Sequence, residues 1–382
     1  MSILATAAVI GSAGVGIGAW KRNDIKRLLA VNALFSEKNI VTNFSDMEAI
    51  FFSTNLGVPN APASELPHEP KAMPDGLSGW IKDRSVTALV VLKDGKIAHE
   101  DYFKDTTPED LRISWSVAKS FLSALMGIVV ADGDIASIDD PVTKYAKALS
   151  GSAYEGATIR NVLNMASGVT FNEDYLSFKS DINKMGRVLA LGGSMDKFAA
   201  GLKKRDREAG IGWQYVSIDT HVIGMIIRGA TGREIPELMA EKLLAPLGLE
   251  ADPLYLTDGK GVAFVLGGLN LRTRDYARFG QMFAQGGMYS GQQVVPADWV
   301  AQSTAISAPT EAGETQYGFQ WWLPADAKPG EYFARGIYGQ YIYIDTDNNV
   351  VIASNAADRE FEEDGSFEQN LAMFRAVATG LR

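Results

Sequence analysis

The rhythm of apolar positions changes three times along the chain. Residues 86–92 form an unbroken β-branched and apolar run, Lys93-Asp94-Gly95-Lys96 interrupts it, and 97–103 returns as strand-like sequence. This predicts an antiparallel hairpin at the start of the folded body. From Ser116 to Ala131 the spacing turns helical and is apolar almost all round, so the helix is expected to be buried. It ends at Asp132-Gly133, where glycine suits a left-handed cap. Between about 140 and 260 the pattern stays mainly helical: Thr158 opens 159–165, Met195 begins a further stretch, and 220–229 follows a turn containing Gly210 and Gly212. Beyond Gly267 the character is mixed. Residues 317–323 and 332–334 read as extended, 340–344 and 350–354 as a hairpin across 345–349, and 367–381 as a closing helix.

Strands at both ends with helices between them predict an α/β (α+β) fold, an antiparallel sheet flanked by helices with a helical domain inserted. Residues 41–120 and 262–382 would form the discontinuous α/β domain, 121–261 the helical one, and an active site would lie where they meet. Pro59, Pro62, Pro67, Pro70 and Pro74 mark a surface linker. No internal repeat or low-complexity tract is present.

With 382 residues, 46% of them hydrophobic and 21% charged, the chain can bury one large core or two smaller ones. A net charge of -10 and no Lys/Arg run interleaved with aromatics argue against a nucleic-acid partner. The absence of cysteine excludes disulfides, thiolate nucleophiles and cysteine zinc sites. His68, His99 and His221 are the only histidines, and none falls in an HExxH or similar spacing, so no metal site is expected. Residues 1–40 combine an apolar segment with a linker. Within them, 3–20 is uncharged, mostly small and apolar, and is followed by Lys21-Arg22 and Lys26-Arg27, about the length of a minimal membrane span. Four glycines that lower its hydrophobicity, no preceding basic region and no clear cleavage site weigh against an anchor. A membrane anchor or uncleaved signal and a packed N-terminal helix both stay open. If the segment spans, its basic flank favours the cytoplasmic side for the rest; otherwise a cytoplasmic or a periplasmic location fits equally.

The chemistry starts at Ser116-Val117-Ala118-Lys119. Spacing i to i+3 puts the serine hydroxyl and the lysine amine on one helix face. A serine needs a base to become nucleophilic, and a desolvated lysine can lose enough of its pKa to serve near neutral pH. The helix N-terminus adds backbone N–H groups near a developing oxyanion. A helix cap with a solvated lysine would give the same tetrapeptide, but Trp115 before it and Ser120-Phe121-Leu122 after it leave Lys119 little route to water. Tyr215-Val216-Ser217, in a glycine-flanked turn before another helix, offers a partner. A lysine cation against the phenol would favour the phenolate and make Tyr215 a usable proton carrier; a core tyrosine is the alternative. No Gly-x-Ser-x-Gly occurs, and His221 reads as a helix-surface or core residue.

Taken in order, Ser116-x-x-Lys119, the stretch from Thr158 to Gly168, Tyr215-x-Ser217 with Gly224, the stretch from Gly267 to Gly280 and Ala334-Arg335-Gly336-Ile337-Tyr338-Gly339-Gln340 resemble the serine β-lactamase-like superfamily. The resemblance runs from about residue 80 to the C-terminus. It is nearest to the class C β-lactamase-related hydrolases, in particular the 6-aminohexanoate-dimer hydrolases and the family VIII carboxylesterases. It implies a β-lactamase/transpeptidase-like fold, acylation of Ser116, and Lys119 with Tyr215 as the proton-transfer pair. It also implies an oxyanion hole from the Ser116 and Ile337 amides, with Gly336 and Tyr338 beside it. Ser217 would hydrogen-bond Lys119 or the substrate, and Tyr175 would hold a substrate amide; from the residues alone, Tyr175 is equally a surface ring in an acidic loop.

One departure matters. Where β-lactamases and penicillin-binding proteins carry Lys or His at the head of the last motif, this chain has Ala334. Arg335 is one residue on, and strand alternation should turn it to the other face. That weakens β-lactam recognition and favours a small ester or amide substrate, with no cofactor. A penicillin-binding or β-lactamase-type acyl-enzyme former and a non-catalytic, membrane-associated scaffold are the alternatives. Tyr338 and Gln340 could shape the pocket or simply pack. Oligomeric state is open.

Overall fold

A computed structural model describes residues 27–31, 33–58 and 62–382. Its centre is a seven-stranded antiparallel sheet built from β1 (Val86–Lys93), β2 (Lys96–Tyr102), β3 (Gln316–Tyr317), β4 (Trp322–Leu323), β5 (Glu331–Gly336), β6 (Gln340–Asp345) and β7 (Val350–Ala356), in the order β2-β1-β7-β6-β5-β4-β3. β1 and β7 are interior strands covered on both faces, which explains why their sequences are continuously apolar. The β1–β2 turn sits at Asp94 and Gly95, both at positive φ (+51° and +77°), as a two-residue hairpin turn requires. The proline-rich segment runs along the outer edge of β2, with Ile97 N–H bonding Pro67 O (2.8 Å) and Glu69 N–H bonding Ile97 O (2.9 Å). It thereby covers an edge that would otherwise offer unpaired backbone groups.

Helices close both faces of the sheet. On one side α1 (Leu77–Asp83) and α8 (Ser366–Gly380) pack together, with Trp80 edge-on to Phe374 at 5.6 Å. On the other lies the larger core, containing α2 (Ala118–Ala131), α3 (Ile159–Leu163), α4 (Asp181–Ala190), α5 (Met195–Gly201), α6 (Ser217–Thr231) and α7 (Thr273–Ala284). α2 is buried round nearly its whole circumference, as its composition requires, and Gly133 follows it at φ +86°. α7 lies against the sheet: Phe279 stacks on Phe121 of α2, and Gly280 meets β6 and β7.

Three details differ from the sequence reading. Residues 317–323 are not one extended run, since β3 and β4 pair with each other and Gln320 between them turns at φ +64°. The turn is held because the buried Gln320 side-chain amide donates to Leu163 O (2.8 Å) and the Gln320 backbone carbonyl accepts from Ser120 Oγ (2.7 Å). The helix opened by Thr158 starts with a capping box between Thr158 and Asn161 but stops at Leu163, not 165, and Met165 turns left-handed at φ +52°. A small second sheet joins Phe52–Asn55, Leu254–Thr257, Leu269–Leu271 and Arg112–Ile113, which periodicity does not reveal because each strand is only two to four residues long. Among the described residues no helix is long and apolar enough to cross a membrane, and residues 3–20 lie outside them.

The α7–sheet contact yields a test. A methyl group added at Gly280 would sit 2.5 Å from Val351 Cγ1 and 2.8 Å from Ile342 Cγ2. Gly280→Ala is therefore expected to lower unfolding stability by about 1–3 kcal/mol, read as a lower urea midpoint. An unchanged midpoint contradicts this packing.

Candidate active site

The chain leaves the short strand Arg112–Ile113, turns sharply through Trp115 and enters a 3-10 turn, Trp115–Val117, that runs directly into α2. Trp115 lies at φ +42°, an unfavourable conformation for a bulky side chain that persists only where the surroundings enforce it. Phe44 and Phe35 pack against its indole at 5.6 and 5.7 Å. This turn presents Ser116 to solvent, half-buried, with Lys119 beneath it at 1% exposure. Lys119 Nζ lies 2.9 Å from Ser116 Oγ and donates to Leu266 O at 2.7 Å.

Burial decides the electrostatics. It pulls Lys119 down from the usual amine range to about 7, against a weaker upward push from the Glu173 carboxylate. Tyr215 goes the other way: burial first, then Glu173, raise its phenol above the ordinary value, and hydrogen bonding with Ser116 and Ser217 offsets only part of that. The sequence suggested a lysine cation drawing out a phenolate. Instead, desolvation favours the neutral form of both groups, although Nζ does sit against the Tyr215 ring, 5.4 Å from its centroid.

Tyr215 is delivered by a loop clamped onto the α3 exit. Gly210 N–H bonds Ala166 O (2.8 Å), Gln214 N–H bonds Met165 O (3.1 Å), and Gly210 and Gly212 hold positive φ. Its ring stacks on Trp322 of β4 at 5.2 Å. Ser217 opens α6, and its hydroxyl is donated to Glu173 rather than to Lys119. Glu173 also accepts the Ser217 N–H (3.0 Å) and the Tyr175 hydroxyl (2.8 Å). Tyr175, Ser217 and Tyr215 are thus gathered around one carboxylate that sequence reasoning passed over as part of an acidic loop. Its only sequence signal was its place two residues before Tyr175.

β5 brings in the remaining candidates. Gly336 packs so closely that an added methyl carbon would lie 2.7 Å from Ser114 O and 3.0 Å from Ser116 N, so the strand end abuts the serine turn. Ile337 and Tyr338 follow, Tyr338 at φ +59° and stacked on Phe35 at 4.6 Å. The buried Gln340 amide holds this turn by donating to Ile337 O (3.3 Å), Tyr338 O (3.1 Å) and Ala356 O (2.8 Å). Ala334 is fully buried in the larger core, whereas Arg335 lies over Phe367 of α8 (4.8 Å), on the opposite face as alternation requires. His221 is buried on α6 and bonded to Asp196 Oδ1 of α5 (2.7 Å), a tie between helices.

Ser116, Tyr175, Ser217, Ile337 and Tyr338 all line one cavity of about 290 Å³. A larger cleft of about 740 Å³ beside Val300 and Tyr332 contains none of the candidate residues, so the chemistry belongs to the smaller one. Among the described residues no cluster of three or more His, Asp or Glu is arranged to hold a metal ion.

Residues 80–372 match the Beta-lactamase family model. The chain belongs to the beta-lactamase family. Within this family it is 30% identical to a 6-aminohexanoate-dimer hydrolase of Paenarthrobacter ureafaciens over 316 residues, 78% of this chain and 80% of the relative. A solved Bacillus anthracis structure assigned as a 6-aminohexanoate-dimer hydrolase superposes with a TM-score of 0.82 at 22% identity, covering 91% of this chain and 96% of that one. EstCE1, a hydrolase with promiscuous acyltransferase activity, superposes at 0.62 and 14% identity, covering 79% and 96%. The two structures establish the β-lactamase/transpeptidase-like fold expected from the sequence.

Because the Glu173 charge favours the Lys119 cation, removing it should let the amine lose its proton more readily. In Glu173→Gln, the pH at which Ser116 labelling by a fluorophosphonate reaches half its maximum is expected to move below the wild-type value. A midpoint that stays or rises excludes the assigned electrostatic role.

Proposed function

We propose that the protein is a serine hydrolase that cleaves a carboxylic ester or amide through an acyl-enzyme on Ser116. The observation that carries this reading is a desolvated amine, poised near neutral pH, 2.9 Å from a half-exposed serine at a helix N-terminus. With Lys119 neutral, the Ser116 O–H donates to Nζ while an Nζ–H continues to donate to Leu266 O. Ser116 Oγ attacks the carbonyl carbon as its proton passes to Lys119. The N–H groups of Ser116 and Ile337 face the developing oxyanion, worth about 3–4 kcal/mol per donor in comparable sites.

The tetrahedral intermediate then collapses. The proton moves from Lys119 through the Tyr215 phenol to the leaving oxygen or nitrogen, so that Tyr215 gives one proton and receives another. Its raised pKa suits a carrier that stays protonated between steps. Water attacks the acyl-enzyme with Lys119 again as the base, releasing the acid and restoring the serine hydroxyl. Glu173 accepts the Ser217 and Tyr175 hydroxyls at the cavity lining, which leaves each oxygen a lone pair to accept a hydrogen bond from a substrate N–H.

Ala334 is buried where a cation would head that strand, and Arg335, although its charge reaches Tyr215, packs over Phe367 and is not part of the cavity lining, which favours ester or amide cleavage over recognition of a β-lactam carboxylate. The relative named as a 6-aminohexanoate-dimer hydrolase supports the same side.

In intact-protein mass spectrometry, a fluorophosphonate should add once to the wild type and not to Ser116→Ala, with p-nitrophenyl ester turnover lost in parallel. Lys119→Met should lower kcat/KM by about 10²–10⁴. Because the base is the deprotonated amine, wild-type kcat/KM should rise with pH through a midpoint near 7. A wild type that neither labels nor turns over overturns the hydrolase reading, and a rate that falls through pH 7 overturns the amine as base.

A further inference from the structure

The cavity next to Ser116 has a composition that the relay itself does not require. α4 lines it through Ile182, Met185 and Leu189, and the N-terminal arm lines it through Val31, Leu34 and Phe35. The arm lies outside the 80–372 stretch that matches the family model, so Val31, Leu34 and Phe35, with Phe51, bring into the lining side chains from beyond the matched region. Leu256, Phe264 and Leu266 add further apolar lining. Arg187 is the single charged residue among the lining, and it is already engaged, with its guanidinium 4.2 Å from the Phe178 ring centre and Nη1 donating to Phe178 O at 2.9 Å. A charged substituent entering the pocket would lose its hydration without finding an unengaged charged partner.

From these walls we infer that the pocket is an acyl-chain site and that the substrates are esters or amides of uncharged, medium-length aliphatic acids. The inference rests on the hydrolase reading above and adds the substrate class. Ser116 and Ile337 line the cavity, whereas Tyr215, which would protonate the leaving group, does not. The acyl group therefore points into the pocket and the leaving group points toward Tyr215 and Trp322. A cavity of 290 Å³ is roughly ten times the volume per molecule of liquid water and holds a chain of about six to eight carbons. Each methylene it buries in the transition state should multiply kcat/KM by about fourfold until the pocket is full.

The pocket can also be shortened without breaking the fold. Gly186 lies on α4 in the lining, and a Cβ built there meets nothing within 4 Å. Gly186→Leu adds bulk to the chain's path while removing a helix-weakening glycine.

The experiment is a kcat/KM series for the full chain on p-nitrophenyl acetate, butyrate, hexanoate, octanoate and palmitate. The charged p-nitrophenyl 6-aminohexanoate is included, and a second series varies the alcohol of alkyl acetates. The wild type should gain at least about tenfold between acetate and its best ester, which should be hexanoate or octanoate, and lose activity on palmitate. The 6-aminohexanoate ester should fall at least about tenfold below hexanoate. Gly186→Leu should move the optimum to a shorter acid. Any of four outcomes overturns the assignment: a flat profile, an optimum at acetate, preference for the ammonium ester, or length dependence confined to the alcohol. An optimum unmoved by Gly186→Leu overturns the placement on α4. Fluorophosphonate labelling run alongside separates the two levels: labelling with the wrong profile removes only the acyl-chain site, and absence of labelling removes the hydrolase reading and this proposal with it.

Discussion

An ammonium ion under an apolar helix is expensive to keep charged, and the arrangement around Lys119 follows from that expense. α2 is buried almost all round, so no path lets the side chain reach water, and its hydrogen-bond partners among the described residues are a hydroxyl and a backbone carbonyl. Neither carries a full negative charge, so the neutral amine gains relative to the cation. A pKa near 7 in place of the ordinary lysine value amounts to on the order of 5 kcal/mol of folding free energy. The sign is that of a depressed base. The full cost is felt below the folded value, near pH 7, shrinks as pH rises, and vanishes above the unfolded value of about 10.4. The fold carries this cost near neutrality, where an amine of that pKa is useful as a base.

Holding such a group against a serine demands a rigid frame, and the backbone bears the marks. Trp115 and Tyr338, the residues that flank Ser116 and Ile337, are both at positive φ. They are locked by the same aromatic cluster, with Phe35 touching both rings. Two buried glutamines act as cross-braces. Gln340 fixes the turn after β5 through three backbone carbonyls, and Gln320 ties β3–β4 to α3 and, through Thr220 Oγ1 (2.7 Å), to α6. Strain at the reacting edge is thus offset by hydrogen bonds one layer behind it.

Much of this was legible in the sequence, for local reasons. The β1–β2 hairpin, α2 and the β6–β7 hairpin carry their own periodicity and turn residues, and Ser116 and Lys119 are joined by helical spacing alone. Tyr215 is almost a hundred residues away and needed the family resemblance to be attached to them. Other features were hidden because they belong to no side-chain pattern. Leu266 contributes a backbone oxygen, and Glu173 sits in a polar loop where a carboxylate is unremarkable. The arm that supplies Phe35 was read as part of a terminal apolar segment and linker. The direction of the Tyr215 shift was misjudged because a pairwise argument between cation and phenol leaves out burial, the larger effect on both.

The proposed chemistry depends on one protonation equilibrium. It is measured most directly by NMR titration of ¹³Cε-labelled lysine in Ser116→Ala, where acylation cannot interfere, with Lys119→Met used to assign the resonance. One lysine signal should titrate near pH 7 and be absent from the Lys119 variant. A Lys119 signal that stays in the ammonium form up to the ordinary lysine range, near 10, would contradict it.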